Sequence, residues 1–219
     1  METGLRIPIF PLNAVLFPYA VLPLHIFEPR YLKMVDHCLE TGEGFGVALL
    51  REGTEIDPEA SPHSIGTLAR ITNLQRLDDG RLYLTAIGVE RFHICDFDRE
   101  EAYLQAGVEP WRERPWQHDN DAYMLMEEVT LAFEGHLRSM LEQEGLAMRR
   151  IEFPEDPVLL SFAVASSLPS DLGFKQRLLE TRDTSERLRL LLDELREMSR
   201  QPRIKSFDPD RHAEMFTSN

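Results

Sequence analysis

Side chains that could ligate a metal ion occur at two places in the sequence. His93 and Cys95 share one face of a predicted strand, because side chains alternate in direction along a strand. His37 and Cys38 are neighbours in a predicted helix. Four such ligands could hold zinc, but the C-x-x-C and H-x-x-x-H spacings typical of zinc sites are missing. The spacing therefore predicts no metal site.

Motifs for nucleotide binding and nucleophilic catalysis are also missing. A phosphate-binding loop ends in Gly-Lys, and the sequence contains no such pair. The glycine-rich segment 42–46 follows a predicted helix and precedes a predicted strand, which favours a helix end with a tight turn. Neither G-x-S-x-G nor H-E-x-x-H occurs. We predict no catalytic residue and no cofactor, and a small hydrolase with an unrecognised site is kept as an alternative.

Glu28 and Arg30 form a charged pair in an apolar setting and are open to two interpretations. One is a catalytic carboxylate. The other is the start of a helix at Pro29, where the carboxylate lies near the positive end of the helix dipole and pairs with the arginine. We favour the structural interpretation, because a lone carboxylate–arginine pair is commonly structural.

Four large aromatic side chains are the candidate polypeptide-binding residues: Phe17, Tyr19, Trp111 and Trp116. Phe17 and Tyr19 lie in a proline-rich loop, whereas each tryptophan follows a proline at the junction of two predicted lobes. Two lobes joined in this way are expected to leave a cleft. The alternatives are interdomain packing for the tryptophans and a plug inside the sheet for Phe17.

The elements that position these aromatics begin with the apolar segment Ile7–Tyr31. It contains five prolines and almost no charge before Glu28. Proline cannot donate to a sheet ladder and fixes its own φ, so long uninterrupted strands are excluded. A segment this apolar must nevertheless be buried. The pattern predicts a strand, a pinned loop and a second strand inside a curled sheet.

Further strands are predicted by alternating apolar residues. Two such runs, Ile65–Leu77 and Arg81–Phe92, flank the turn residues Asp79 and Gly80. Asp-Gly between two alternating runs is a strong hairpin signal. One more strand is predicted over Tyr103–Trp111.

The hydrophobic period then changes from two residues to that of a helix. A long helix is predicted to start near Asp119, and three shorter ones follow. One of them is capped by Asp156 before a proline, and the last opens with Asp183 three residues before Glu186. We therefore predict an α+β fold with a β-rich lobe over residues 1–117, a helical lobe over 118–200 and a tail over 201–219.

The charge of the chain argues against nucleic-acid binding. Its formal net charge is −14. Residues 1–117 carry 11 basic and 18 acidic side chains, and residues 118–219 carry 13 and 20, so each part has a net charge of −7. Nucleic-acid binding depends on lysines and arginines that neutralise phosphates. A nucleic-acid partner is therefore not expected.

Two cysteines, Cys38 and Cys95, are few and fall in predicted elements, which favours a reducing, cytoplasmic setting. The first residues contain an acid and lead into prolines, unlike a signal peptide. No apolar run approaches the ~20 residues that span a bilayer, so no membrane association is predicted.

Motifs in both lobes resemble one known family, that of the Lon protease substrate-binding (N-terminal) domain. The opening P-L-x-x-V-L-F-P and P-L-x-I-F-E-P-R-Y segments are similar to the start of that domain. The similarity continues over about residues 5–200 in the same order, at the following segments: Gly44–Val47, Gly66–Ile71, Asp79–Arg81, the G-x-x-R-F motif of Gly88–Phe92, Asp156–Leu160, Lys175–Glu180 and Glu186–Leu188.

The resemblance implies a PUA-like mixed β-barrel lobe followed by an α-helical bundle lobe, in agreement with the pattern. It also implies a capacity to bind protein or peptide segments. Lon proteases continue into an ATPase and a Ser-Lys peptidase, and neither motif set occurs here, so a non-catalytic, stand-alone polypeptide-binding or adaptor module is expected. The rival is nucleic-acid binding, because PUA-like barrels often bind RNA. The partner's identity and the oligomeric state are left open.

The net charge makes the choice between these partners testable. We expect the purified protein to bind RNA at physiological salt more weakly than the ~10⁻⁴–10⁻⁶ M common for non-specific nucleic-acid binders, because it offers no excess of cations to replace counterions. A filter-binding titration over a range of salt concentrations measures this. Micromolar affinity with a steep salt dependence would favour the nucleic-acid interpretation.

Overall fold

The strands and helices follow the change of hydrophobic period in the sequence. A computed structural model describes residues 5–53, 61–116, 120–146 and 151–200. The strands are β1 (Leu5–Leu12), β2 (Val21–Ile26), β3 (Phe45–Glu52), β4 (Ser61–Pro62), β5 (Ile65–Arg76), β6 (Leu82–Asp98) and β7 (Gln105–Pro110). The helices are α1 (Pro29–Thr41), α2 (Asn120–Gln143), α3 (Pro157–Ser167), α4 (Leu172–Glu180) and α5 (Thr184–Arg200).

Five of the strands pair in a closed ring. The antiparallel order β1-β7-β6-β5-β3 is closed by a parallel pairing of β1 with β3, in which Ile9 lies opposite Gly46. Strands β2 and β4 lie outside the ring, on β6 and β3. Because β6 is 17 residues long, β2 and β7 occupy the same edge of it, one after the other. The predicted α+β fold, with a curled sheet followed by helices, is confirmed.

The prolines of the opening segment limit strand length as expected. A strand, a loop and a second strand follow in the predicted order. Pro23 lies in β2, whose one described partner in the sheet is β6, and proline is tolerated at such an edge. The Asp79-Gly80 hairpin is also confirmed, with Gly80 at φ 85°. Leu82 and Leu84 are buried on one face of β6, whereas Tyr83 on the other face is exposed.

Helix ends agree with the predicted signals. α1 begins at Pro29 and ends at Gly42, which has a left-handed φ of 73°. Asp156 accepts a hydrogen bond from the Leu159 backbone N–H at 2.8 Å and so caps α3. The side chain of Asp183 accepts a hydrogen bond from the Glu186 N–H at 3.0 Å at the start of α5. Each cap satisfies a backbone donor that the helix itself leaves free.

The ion pair at the start of α1 is confirmed. Arg30 donates from Nε to Glu28 Oε2 at 3.0 Å. Its guanidinium also lies 4.5 Å from the centre of the Tyr31 ring. The Glu28 carboxylate does not cap the helix backbone. The Glu28 carboxylate therefore stabilises the start of α1 through its ion pair with Arg30.

Buried side chains form three clusters. One lies among α2, α3, α4 and α5, a second lies between α1 and the sheet, and a third lies where β1, β6 and β7 meet. Phe17 and Ile65 belong to the helical cluster although they precede β6 in the chain. The sheet and the helices thus share a core. The domain boundary at residue 117 stays a prediction, and residues 117–119 and 201–219 lie outside the described part of the chain.

Two buried arginines hold the helices onto the sheet. The side chains of Arg91 in β6 and Arg187 in α5 are 2% and 0% exposed, and both donate to the carboxylate of Glu113. Arg187 reaches Glu113 Oε2 at 3.2 Å, and Thr184 donates to the same oxygen at 3.1 Å. Both guanidinium groups also lie against the ring of Phe162.

Backbone carbonyls supply the remaining negative partners of this arginine network. Arg91 donates to the carbonyl oxygens of Leu179 and, at 2.7 Å, Thr181. Arg187 donates to the Thr181 oxygen at 2.7 Å. These carbonyls lie at the carboxyl end of α4, where the helix dipole is negative. One carboxylate and a helix end therefore balance two buried positive charges.

Burial lowers the pKa of Arg91 to about 10, although Glu113 opposes the shift. Burial likewise lowers the pKa of Arg187, again against the effect of Glu113. The Arg91 guanidinium therefore carries its proton at neutral pH. Because the folded-state pKa of Arg91 lies below its ordinary value, the unfolded chain holds this proton more tightly than the folded one. The cost of burying the charge is therefore present at neutral pH and is relieved as the pH rises through about 10.

Removing the carboxylate of the network should destabilise the fold strongly. We expect Glu113→Gln to lower the free energy of unfolding by roughly 3 kcal/mol, because loss of one partner leaves buried charge uncompensated. Urea unfolding at neutral pH measures this change.

The matched control is Glu128→Gln. It removes the partner of Arg196 from an ion pair whose two side chains are half exposed. Such a pair contributes about 0–1 kcal/mol. Equal losses in the two variants would show that the arginine network does not hold the fold.

Candidate functional site

The four candidate aromatics do not border a single cleft. Phe17 is 1% exposed and packs against Phe162, with ring centres 6.1 Å apart. It belongs to the core that joins sheet and helices. Phe17 is therefore buried, but it packs among the helices and not as a plug inside the sheet.

Trp111 is half-buried and links the end of β7 to the helices through direct contacts. Its indole N–H donates to the Glu180 carbonyl at 2.9 Å. The guanidinium of Arg182 lies 4.8 Å from the centre of the indole, and Arg182 also donates to the Arg112 carbonyl at 2.7 Å. The indole of Trp111 is therefore used in contacts with residues at the end of α4 and just after it.

Trp116 packs against the helical core and is half-buried. Its indole nitrogen is buried and has no hydrogen-bond partner among the described residues. It is not part of the lining of either groove described below. Its position is that of a packing residue at the last described position before α2.

Tyr19 is the exposed member of the set. Its side chain is 61% exposed, and its backbone has a left-handed φ of 66°. The loop is pinned by two hydrogen bonds to Gly88: the Tyr19 N–H donates to the Gly88 oxygen at 2.8 Å, and the Gly88 N–H donates to the Ala20 oxygen at 3.0 Å. The loop backbone thus holds the Tyr19 ring at the surface.

Gly88 must be a glycine for this loop to lie where it does. A Cβ at this position would come within 2.3 Å of the Phe17 carbonyl oxygen. Thr67 adds a third contact, donating from its buried hydroxyl to the Leu16 carbonyl at 2.6 Å. The glycine of the G-x-x-R-F motif therefore positions the loop, and its arginine, Arg91, positions the helices.

A groove of about 370 Å³ lies beside Tyr19, between the loop and α3. We call it the Tyr19 groove, and its lining residues are Pro18, Tyr19, Ala20, Pro154, Leu159, Ala163, Ser166 and Ser167. None of these side chains is charged. The hydroxyls of Ser166 and Ser167 both donate to the Ala163 carbonyl, so they are already satisfied. The groove suits uncharged, apolar groups.

The apolar surface continues from the Tyr19 groove along β2 and β6. Val21 and Phe27 are 60% and 58% exposed, and Tyr83 and Ile87 of β6 are also exposed on this face. Val21 pairs with Ile87 in the β2–β6 ladder. His25 stacks on Tyr83, with ring centres 4.5 Å apart. Val21, Phe27, Tyr83 and Ile87 are called the apolar strip below.

Trp111 borders a different groove, of about 510 Å³, with a charged lining. This Trp111 groove is lined by Trp111, Arg114, Arg177, Glu180, Thr181, Arg182, Asp183, Glu186 and Leu190. Its three arginines face three carboxylates, so the groove has no strong excess of either sign. The two grooves share no lining residue. The Tyr19 groove borders α3, whereas the Trp111 groove borders α4 and α5. α2 packs on α5 and α3, and the expected cleft between the two lobes stays a prediction.

None of the described helices is both long enough and apolar enough to cross a bilayer.

Comparison with known proteins places the chain in a family. A family model described as the ATP-dependent protease La (LON) substrate-binding domain matches residues 6–197. The chain belongs to this family. A crystal structure titled Lon N-terminal domain protein, from Xanthomonas campestris, has a TM-score of 0.65 at 27% identity and covers 86% of this chain and 98% of that one. The N-terminal domain of the Mycobacterium avium complex Lon protease, 20% identical with a TM-score of 0.64, shows the same fold.

The sequence relatives of this LON-family chain are longer proteins. A Lon protease of Anaeromyxobacter dehalogenans is 27% identical over 189 residues, which are 85% of this chain and 22% of that protein. A Lon protease of Syntrophus aciditrophicus is 30% identical over 191 residues, which are 84% of this chain and 24% of that protein. The chain thus spans about a quarter of the length of these relatives.

Reasoning from sequence missed the arginine network. Arg91 and Arg187 both stand in segments that mark the LON family resemblance, but nothing in the spacing shows that they meet. Glu113, their common partner, lies in a stretch rich in prolines and charges. One signal in the sequence could have revealed the network. Each of the two elements carries an arginine among its inward-facing apolar positions, and arginine is rarely fully buried without a partner.

Trp116 and Tyr19 should differ in how much each side chain contributes to the free energy of unfolding. We expect Trp116→Ala to lower the free energy of unfolding by roughly 3 kcal/mol, the low end for a packed tryptophan, because its ring is partly exposed. Tyr19→Asn should change it by less than about 0.5 kcal/mol, because the ring is exposed and asparagine tolerates a left-handed φ. Urea unfolding of both variants measures the difference. A large loss for Tyr19→Asn would show that the ring is a packing residue.

Proposed function

We propose that this LON-family protein is a non-catalytic polypeptide-binding or adaptor module. Its surface for extended, apolar segments of other proteins is the Tyr19 groove together with the apolar strip. Neither ATP hydrolysis nor peptide cleavage belongs to this function. The cytoplasm is the proposed setting, because Cys38 and Cys95 are both free thiols.

The observation that carries the proposal is a set of exposed apolar side chains on β2 and β6 that adjoins the uncharged groove. Val21 follows the groove residue Ala20 directly, and its ladder partner Ile87 precedes Gly88, to which the Tyr19 loop is bonded. Apolar side chains clustered at the surface are typical of interaction sites. The family description as a substrate-binding domain supports a polypeptide as the occupant.

The geometry of the surface suits an extended chain. Among the described strands β2 pairs with β6 alone, so its other side offers backbone groups, although Pro23 lacks an N–H. Side chains of a bound segment could alternate between the strip and solvent, which is how peptides are recognised at sheet edges. Tyr19 would provide a rigid aromatic anchor at one end of the strip.

The charge distribution supports a polypeptide over a nucleic acid. The net charge is −14, and none of the residues lining the Tyr19 groove is a lysine or an arginine. The Trp111 groove is lined by three arginines and three carboxylates, so their formal charges sum to zero. Neither groove therefore offers the excess of cations on which phosphate binding depends.

Binding to an unfolded polypeptide tests the proposal. A permanently unfolded, reduced and carboxymethylated protein serves as the probe, with fluorescence anisotropy as the readout. We expect Tyr19→Asn and Val21→Thr to weaken binding by about tenfold each, the loss typical of an interface anchor of ~1–2 kcal/mol. Their thermal unfolding should match that of the wild type.

The matched control is Tyr123→Asn, which removes a tyrosine of α2 that is 54% exposed. Its affinity for the probe should equal that of the wild type. If Tyr123→Asn weakens binding and the other two variants do not, the docking surface lies on α2. Absence of binding by the wild type would contradict the proposed function itself.

A further inference from the structure

Three metal-ligating side chains from two neighbouring strands converge on the outside of the sheet. In the β6–β7 ladder His93 lies directly opposite Glu109. Their side chains approach to 3.2 Å between Nδ1 and Oε1. The thiol of Cys95 lies 4.0 Å from the same Nδ1. One nitrogen, one sulfur and one oxygen all lie within 4.8 Å of one another.

The cysteine lies at an irregularity of β6. The ladder shifts register between Ile94, opposite Val108, and Asp96, opposite Gly107. Cys95 is thus the extra residue of a β-bulge and has no direct partner in β7. Strand alternation already places Cys95 on the face of His93. At the bulge its thiol lies beside the imidazole and carboxylate.

The spacing of the three donor atoms fits a tetrahedral cation. Ligands of zinc at ~2.0–2.3 Å lie about 3.5 Å from one another at tetrahedral angles. The nitrogen–oxygen distance of 3.2 Å is close to this value, and the nitrogen–sulfur distance of 4.0 Å exceeds it slightly. Cys95 is exposed, so a small side-chain rotation can close the difference.

The surroundings of the three ligands favour this use. The Trp111 ring packs on His93, with ring centres 5.7 Å apart, and limits the orientations of the imidazole. The nearby carboxylates of Asp96 and Asp98 pair with Arg6, at 2.8 and 3.4 Å. They are therefore occupied, while the charges of Glu109 and of a Cys95 thiolate match those of a divalent cation.

We propose that His93, Cys95 and Glu109 bind a divalent cation of the zinc class. Imidazole and thiolate ligands select such ions over Mg²⁺ and Ca²⁺, which prefer oxygen. Three protein ligands leave a fourth position for water, and the exposure of Cys95 and Glu109 directs that position to solvent. The site lies on the outer face of the β6–β7 pair and shares no residue with the Tyr19 groove.

Cobalt serves as the spectroscopic probe, using the full chain without a histidine tag. We expect Co²⁺ to give visible bands of tetrahedral intensity together with a near-ultraviolet thiolate charge-transfer band. Equimolar Zn²⁺ should abolish both, and an excess of Mg²⁺ should leave them unchanged. Lack of a thiolate band, or displacement by Mg²⁺, would overturn the proposal.

Four variants locate the ligands. We expect Cys95→Ser and Glu109→Gln each to weaken Zn²⁺ binding by at least ~10-fold, as measured against a chromophoric chelator. Cys38→Ser and Glu90→Gln are the matched controls, because Cys38 is buried beside Gly44 and Glu90 is an exposed residue of β6. Their affinities should stay within about twofold of the wild type. Loss of binding in the controls, or equal affinity in all four, would contradict the assignment.

The wild-type protein provides a second test that needs no substitution. Zn²⁺ should slow alkylation of Cys95, followed by mass spectrometry. Cys38 should be unreactive with or without the metal, because it is 2% exposed and burial raises its pKa to about 11. Unchanged alkylation of Cys95 at saturating Zn²⁺ would mean that the thiol is not a ligand.

Discussion

The carboxylate of Glu113, shared by two buried arginines, is the interaction on which the arrangement of sheet and helices depends. Arg91 comes from the sheet and Arg187 from the last described helix, and Glu113 lies in the segment between them. Burying two guanidinium groups this deeply is unfavourable unless their N–H donors find hydrogen-bond acceptors. Directional bonds to a carboxylate and to the end of α4 allow one orientation of the helices, whereas apolar packing alone would tolerate several.

That orientation decides which surfaces face solvent. With α3 and α4 held against the sheet, Phe17 is buried against Phe162, and the backbone of its loop is fixed on Gly88. Tyr19, two residues further, is then directed outward beside α3. The same docking leaves the outer face of β2 and β6 uncovered by any described element. The proposed polypeptide-binding surface is thus a consequence of how the arginine network places the helices.

The proposed metal site depends on a different feature of the same strand. β6 is long enough to pair with β2, β5 and β7, and its bulge lies at the far end from the hairpin. Trp111 contacts both His93 of the proposed metal site and the carboxyl end of α4. The two proposed sites are nevertheless separate in residues and in chemistry, one uncharged and one anionic.

The order and type of most elements were predictable because they depend on local rules. Prolines limited the first strands, Asp79-Gly80 required a turn, and capping aspartates marked the starts of α3 and α5. The family and the α+β class were also predictable, because the motifs recur in one order along the chain. The net charge of −14 disfavoured nucleic acids without any knowledge of the fold.

What the sequence could not show is which distant residues meet. Phe17 and Tyr19 are two positions apart and both aromatic, yet one is 1% and the other 61% exposed. Glu113 meets Arg187 across 74 positions, and Glu109 meets His93 across 16. Residue spacing reports only neighbours along one element, whereas cross-strand register and helix docking bring together residues from several. The tertiary structure alone therefore decided which aromatic reaches solvent and which ligands converge.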